Sequence, residues 1–379
     1  MSSHSIYLDY NATTPTDPRV ADAMEPYLRN HFGNPSSGHE WGLSARAAVD
    51  KARLQVATLL QAKTDDVIFT SGGTEANNLA IIGSAPTSGG GHIITSSVEH
   101  PAVSAVCDHM AASGVTTTQV GVDGQGRVNP QDVAAAMRPD TFLVTVMLAN
   151  NEVGTIQPVS EIAKIAKENG VPFHTDCAQA IGKIPVGLVD LGVDMISVAS
   201  HKIYGPKGIG ALVTAPGIKL RNIMFGADHE AGRRPGTENV LGIVGMGEAC
   251  SLIADELAEE ITHLRRLRDL LSESLLTAHP EAQINGHSCE SLPNTLSVSW
   301  PGRVAGEILA NLSNVAVSAG AACHSEGVHI SHVLTAMGVP IHFALGTLRL
   351  SLGRMSNKED VLEGARRISE AVRSAPDHS

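Results

Sequence analysis

Aromatic side chains are scarce in this 379-residue sequence, at 3% of positions, although hydrophobic residues make up 42%. A large core with so few rings has to be built from Ala, Val, Ile and Leu, the composition of parallel sheets covered by helices on both faces. Long apolar runs are also missing. None approaches the roughly 18 residues that cross a bilayer, and the opening MSSHSIYLDYNATTP has no basic stretch leading into an apolar one. A cytoplasmic location without membrane contact is therefore expected. Positive charge is in deficit, with 27 Lys and Arg against 39 Asp and Glu and a net charge of -12. That balance argues against nucleic acid or an anionic membrane as the main partner. Cysteine is sparse and unpatterned: Cys107, Cys177, Cys250, Cys289 and Cys323 are odd in number, widely spaced and form no CxxC pair. Neither a disulfide framework nor a zinc knuckle is indicated, so reduced thiols and no metal site are expected.

What is present is alternation. Between about 65 and 215 the strand-length runs DVIFT, HIITS, TFLVTVMLA, VPFHTD, DMISVAS and GALVT are separated by helical stretches. The pattern predicts an α/β fold with a mostly parallel, helix-covered sheet. Residues 17–62 read as helical with an interruption at FGNPSSGHEWG. A long helical region ends near 278, and in it Leu264, Leu267, Leu271 and Leu275 form one apolar face. Beyond it NTLSVSW, VAVSAG and TLRLSLGR read as strands, with helices near 303–312, 330–337 and 356–373. Ser356 and Glu359 suggest a capping box on the last helix. The expected division is a large α/β domain over 15–255 and a smaller α+β domain made of 1–14 and 256–379.

In an open parallel sheet the ligand sits beyond the carboxyl ends of the strands. Four such ends carry chemistry. VIFTSGGTEANNLA is a strand, a Gly-rich turn and a helix, placing Gly73, Thr74 and free amides where an anion is stabilised. MLANNEVG offers Asn150 and Asn151, and FHTDCAQA offers His174, Asp176 and Gln179. SVASHKIYGPKGIG puts Lys202 between a strand and a Gly/Pro-rich loop. Each alone has a plainer explanation: a capped turn, a helix-capping aspartate, a solvated lysine. Neither GxxxxGK(S/T) nor a GxGxxG after a strand is present, which disfavours nucleotide readings. Together the four ends suit pyridoxal phosphate, whose phosphate takes the amides, whose ring nitrogen takes a carboxylate and whose aldehyde condenses with lysine. His100, in SSVEHPAV, is placed to lie against the ring or to be an ordinary hydrogen-bonded surface histidine. Cys323, in SAGAACHSEG, is a small buried hydrophobe, a metal ligand or a nucleophile.

The motifs YLDYNATTP, FGNPSSGHEWGLSAR, TSGGTEANN, VEHPAV, NNEVGTIQP, HTDCAQAIGK, SHKIYGPKG, RRPGTENV, SAGAACHS and LRLSLGR closely resemble, in order, those of the cysteine desulfurases and selenocysteine lyases. These belong to the class V aminotransferase group of fold type I pyridoxal phosphate enzymes. The resemblance implies that Lys202 is the Schiff-base lysine, Asp176 the partner of the ring nitrogen, Gln179 the contact to the ring hydroxyl and His100 the stacking residue. It implies phosphate contacts from Gly73, Thr74 and His201, with Thr237 reaching in from the other subunit of a homodimer. Asn34, Asn151 and Arg349 would surround the substrate carboxylate, for which an arginine fork is suited. Two departures stand out: Ala199 occupies a place where many relatives have Ser, leaving Ser200 as the neighbouring phosphate contact, and GADHE replaces a glycine-rich run. Cys323 resembles the sulfur acceptor, which as a thiolate takes sulfur from cysteine, becomes a persulfide and passes sulfur to an acceptor such as an iron-sulfur scaffold, leaving alanine. The other expectations kept open are selenocysteine lyase activity and a noncatalytic scaffold on the same fold.

Overall fold

The computed structural model describes residues 5–324 and 327–378, and of these the side chains of 321–324 and 327–329 lie outside the description. A short strand β1 (Ile6–Tyr7) precedes seven that form the main sheet: β2 (Val67–Thr70), β3 (His92–Ser96), β4 (Thr116–Val120), β5 (Thr141–Thr145), β6 (Phe173–Asp176), β7 (Met195–Ala199) and β8 (Gly210–Thr214). Their order is β2-β8-β7-β6-β5-β3-β4. All run parallel except β8, which is antiparallel to both neighbours. Every residue of β2, β3, β6, β7 and β8 is buried. Helices cover both faces, so these strands read as continuous apolar runs. The strand β4, TTTQV, escapes that reading because it lies at the sheet edge with its first four residues exposed or half-buried.

The chain-terminal unit contains β9 (Gln283–Asn285), β10 (Thr295–Ser299), β11 (Val315–Ala316), β12 (Ser318–Ala319), β13 (Ala321–His324), β14 (Gly327–Ile330) and β15 (Thr347–Ser351). A four-stranded sheet runs β12-β15-β10-β9, β1 pairs with β11, and β13 and β14 make a hairpin. The helix Val240–Ala278 links the units: Ile243, Met246 and Ile253 pack into the core beneath the main sheet, whereas Leu264, Leu267, Leu271 and Leu275 pack with Ile6, Leu8 and the small sheet. The helix thus changes packing partners along its length, and Ile6 and Leu8 of the N-terminal segment pack with the small sheet. A further apolar cluster of Val98, Met147, Val153, Val333, Leu334 and Met337 lies at the seam.

The last helix, Lys358–Ser374, is capped by Asn357, whose side chain accepts from the Asp360 amide, rather than by Ser356. The Ser356 hydroxyl is engaged one turn back, accepting from the Gly353 amide, so the expected capping box does not form. Among the described residues no helix is long and apolar enough to cross a membrane.

Candidate active site

The carboxyl ends of β2, β3, β5, β6 and β7 open onto one cavity of about 320 Å³, walled by Gly73, Thr74, His100, Asn151, Asp176, Gln179, His201, Lys202 and Arg349, with Asn11 and Asn77 added. Backbone geometry makes the anion cradle. Gly72 holds φ +155°, a conformation suited to glycine, and its hydrogen side chain leaves the first turn of the helix Gly73–Ser84 without a side-chain cap. Uncapped first-turn amides carry the positive end of the helix dipole.

Asp176 ends β6 and is 7% exposed. Its Oδ2 accepts from Asn77 Nδ2 at 2.7 Å and its Oδ1 from the Ala178 amide at 2.9 Å. Both contacts fix the orientation of the carboxylate. Lys202 closes the turn after β7, and its Nζ donates to the main-chain oxygens of Asn11 at 2.5 Å and Ala12 at 2.8 Å. Burial, reinforced by the charge of Arg349, pushes the amine down to about 8 against the pull of Asp176 and Asp9. His201 is pushed down to about 4 by burial and by Lys202, Lys207 and Lys183, and its Nδ1 lies 3.1 Å from Thr13 Oγ1. His100 caps the helix Pro101–Met110 by accepting the Ala102 amide on Nδ1 at 3.1 Å. Burial lowers its pKa, so the neutral ring carries its proton on Nε2.

Arg349 stands on β15 and brings the small unit to the cavity. Its Nη2 donates to Asp9 Oδ1 at 2.8 Å and Ser318 Oγ at 2.9 Å, and its Nη1 to Asn151 O at 3.3 Å, while its buried Nε has no partner among the described residues. An orphaned guanidinium N–H beside a cavity suits an incoming carboxylate.

The remaining expected residues lie elsewhere. Ser200 is fully buried, with its Oγ beneath Gly205, so Ala199 and not Ser200 faces the cavity. Asn34 is exposed and uses Oδ1 to accept the Ser36 amide at 2.9 Å. Thr237 is exposed and borders a separate cavity with Glu230 and Arg234. The GADHE segment is structural at its end: Glu230 is gripped by both Nη atoms of Arg53, at 2.8 and 2.6 Å, and accepts the Phe69 amide at 3.0 Å. Cys323 falls on β13, where its backbone pairs with Val328; its side chain, with those of His324 and His329, is outside the described set. Asn11 and Asn77 were not singled out from the sequence. Asn11 is 1% exposed and its side chain binds Asn151 O and Thr295 Oγ1 at 3.1 and 2.8 Å, tying the N-terminal segment to both units.

A carboxylate, a lysine with a depressed pKa and an uncapped helix N-terminus fit the ring nitrogen, aldehyde and phosphate of pyridoxal phosphate. Residues 6–363 match the family model described as aminotransferase class-V. The chain belongs to that family, which is pyridoxal phosphate-dependent. Within it, the chain is 45% identical over 377 residues to "Cysteine desulfurase IscS" of Dictyoglomus turgidum, covering 97% of this chain and 95% of the relative. It is likewise 45% identical to "Cysteine desulfurase IscS" of Methanosarcina thermophila, with coverages of 94% and 89%. A solved "NifS-like protein" superposes with a TM-score of 0.92 at 37% identity, covering 97% of this chain and 99% of the other.

Proposed function

We infer that the chain is a pyridoxal phosphate-dependent cysteine desulfurase that converts L-cysteine to L-alanine. The observation that carries this is the single cavity in which Asp176, Lys202, His100 and Arg349 meet at the strand ends, in a chain similar to cysteine desulfurases over nearly its whole length. The bound cofactor supplies an electron sink for the bond broken at the substrate's α-carbon. Asp176 would hold the ring nitrogen, the amides of Gly73 and Thr74 with His201 would hold the phosphate, and His100 would bound the ring pocket. Lys202, freed from the oxygens of Asn11 and Ala12, moves the α-proton as general base and acid. Arg349 and Asn151 orient the substrate carboxylate. The Cys323 thiolate attacks the substrate sulfur: a sulfur–sulfur bond forms, the carbon–sulfur bond breaks, and alanine leaves with Cys323 as a persulfide. Borohydride treatment of the yellow holoenzyme should fix the cofactor on the Lys202 peptide; labelling of Lys207 instead would overturn the assignment.

The finer reading is a homodimer with shared sites, located in the cytoplasm. Thr237 lies away from the cavity of its own chain, which suits service in a second copy. Large apolar side chains are open to solvent on the single chain, with Leu28 at 70%, Phe32 at 79%, Trp41 at 56% and Phe225 at 86% exposure. The four described cysteines are free thiols, in keeping with a reducing compartment.

A further inference from the structure

We propose that Lys183 is a positioning residue: it locks the side-chain amide of Gln179 so that the nitrogen, not the oxygen, is offered to the cofactor's ring hydroxyl. The proposal rests on the cavity being a pyridoxal phosphate site. Lys183 is 5% exposed and its Nζ donates to Gln179 O at 3.0 Å and to Gln179 Oε1 at 3.2 Å. At the other end of the amide, Nε2 donates to the main-chain oxygen of Asn11 at 2.9 Å. The two neighbours have opposite roles. A protonated lysine nitrogen can only donate, and here it has two acceptors on Gln179, whereas a main-chain oxygen can only accept. Turning the amide over would set oxygen against oxygen at the Asn11 end and, with the lysine protonated, N–H against N–H at the other, losing two buried hydrogen bonds.

The orientation leaves one N–H of Nε2 without a partner among the described residues, on a side chain that walls the cavity. Such a donor stabilises the anionic form of a ring oxygen. A buried lysine is costly to keep, and this one makes no ion pair among the described residues. Burial pushes it down to about 7, Lys202 and Arg349 push the same way, and Glu260 on the long helix opposes them. Its two contacts are both with Gln179, so orienting that residue is the use the geometry gives it.

The test is a pH titration of the visible absorbance of holoenzyme. Lys183→Met removes the donor, so the cofactor should hold its proton more tightly and the transition should move up by about one pH unit. Lys183→Gln restores an N–H for Oε1 and should stay within about 0.3 unit of wild type. In a Gln179→Ala background Lys183→Met should add nothing, because the two residues act as one unit. If Lys183→Met matches wild type, if Lys183→Gln shifts as far as Lys183→Met, or if the shift persists without Gln179, the proposal is overturned while the cofactor site stands. Wild-type protein with no visible band would instead remove the cofactor reading beneath it. Should Lys183→Met not fold, the wild type still decides: the Gln179 side-chain N–H signals should exchange slowly with solvent, and rapid exchange would overturn the lock.

Discussion

Lys202 Nζ lies 2.5 Å from the main-chain oxygen of Asn11, a residue 191 positions earlier in the chain. The amine is thus held by neutral carbonyls, with no carboxylate in direct contact among the described residues, and its pKa is depressed by burial and then by the nearby charge of Arg349. With a pKa of about 8, roughly a tenth of the amine is neutral at pH 7, against less than a thousandth for an ordinary lysine. The rate of pyridoxal phosphate uptake by apo-protein, followed by absorbance, should therefore rise about tenfold from pH 7 to 9 and level off above 8. A rise that continues unchanged toward pH 10 would contradict the shift.

Asp176 is expected to matter through its charge. Asp176→Asn keeps the side chain's size but removes the carboxylate that stabilises a protonated ring nitrogen, so kcat should fall about 10²- to 10³-fold while the protein still takes up cofactor. Unchanged kcat in a folded, yellow variant would remove Asp176 from its assigned role.

The N-terminal segment is a working part of the site. Asn11→Ala deletes one buried contact, to Thr295, and one part-buried contact, to Asn151, and leaves Asn294 Nδ2 without its 3.0 Å contact to Asn11 Oδ1. A loss of about 1–3 kcal/mol is expected, read as a lower melting temperature together with weaker cofactor retention on gel filtration.

Much of this site was legible because strand ends are. Asp176, Gln179 and Lys202 follow apolar runs that are buried on both faces and so stand out as runs. Asn11 was not legible in the same way, since what it gives Lys202 and Gln179 is a backbone oxygen, which any residue type supplies. The edge strand Thr116–Val120 carries no apolar run because solvent reaches it, and the last helix could be capped from Ser356 or Asn357, a choice decided by the Ser356 bond to Gly353. Ser200 and Ala199 sit side by side in sequence, but Ala199 ends β7 and Ser200 opens the turn after it, where its hydroxyl is tucked beneath Gly205.

Arg354 clamps the seam between the units. It donates to Asp17 Oδ2 and Glu260 Oε2, each at 2.7 Å, and lies 4.3 Å over the Tyr204 ring. Arg354→Ala leaves the buried Glu260 without its ion-pair partner and Asp17 with Arg19 alone, and should cost about 3–5 kcal/mol in denaturant unfolding. Asp17, held well below the usual carboxylate range by Arg19 and then Arg354, contributes stability that is present above its ordinary pKa of about 4 and is lost as pH falls further. Wild type should therefore show a melting temperature that drops below pH 4 more steeply than that of Arg354→Ala.

Shared sites predict complementation. Mixed dimers of Lys202→Ala with Thr237→Ala contain one site with both residues intact, so activity should recover toward about half of wild type per mixed dimer, or about a quarter over a random mixture in which half of the dimers are mixed. No recovery in a sample proven to contain mixed dimers would refute sharing through Thr237.

The central claim is tested most directly by quantifying alanine and protein-bound persulfide after mixing holoenzyme with L-cysteine, alongside L-selenocysteine, for wild type, Lys202→Ala and Cys323→Ala. The account predicts alanine from cysteine with persulfide on the Cys323 peptide in wild type, and neither product from cysteine in the two variants. Undiminished alanine from cysteine in Cys323→Ala, or turnover by wild type of selenocysteine alone, would contradict it.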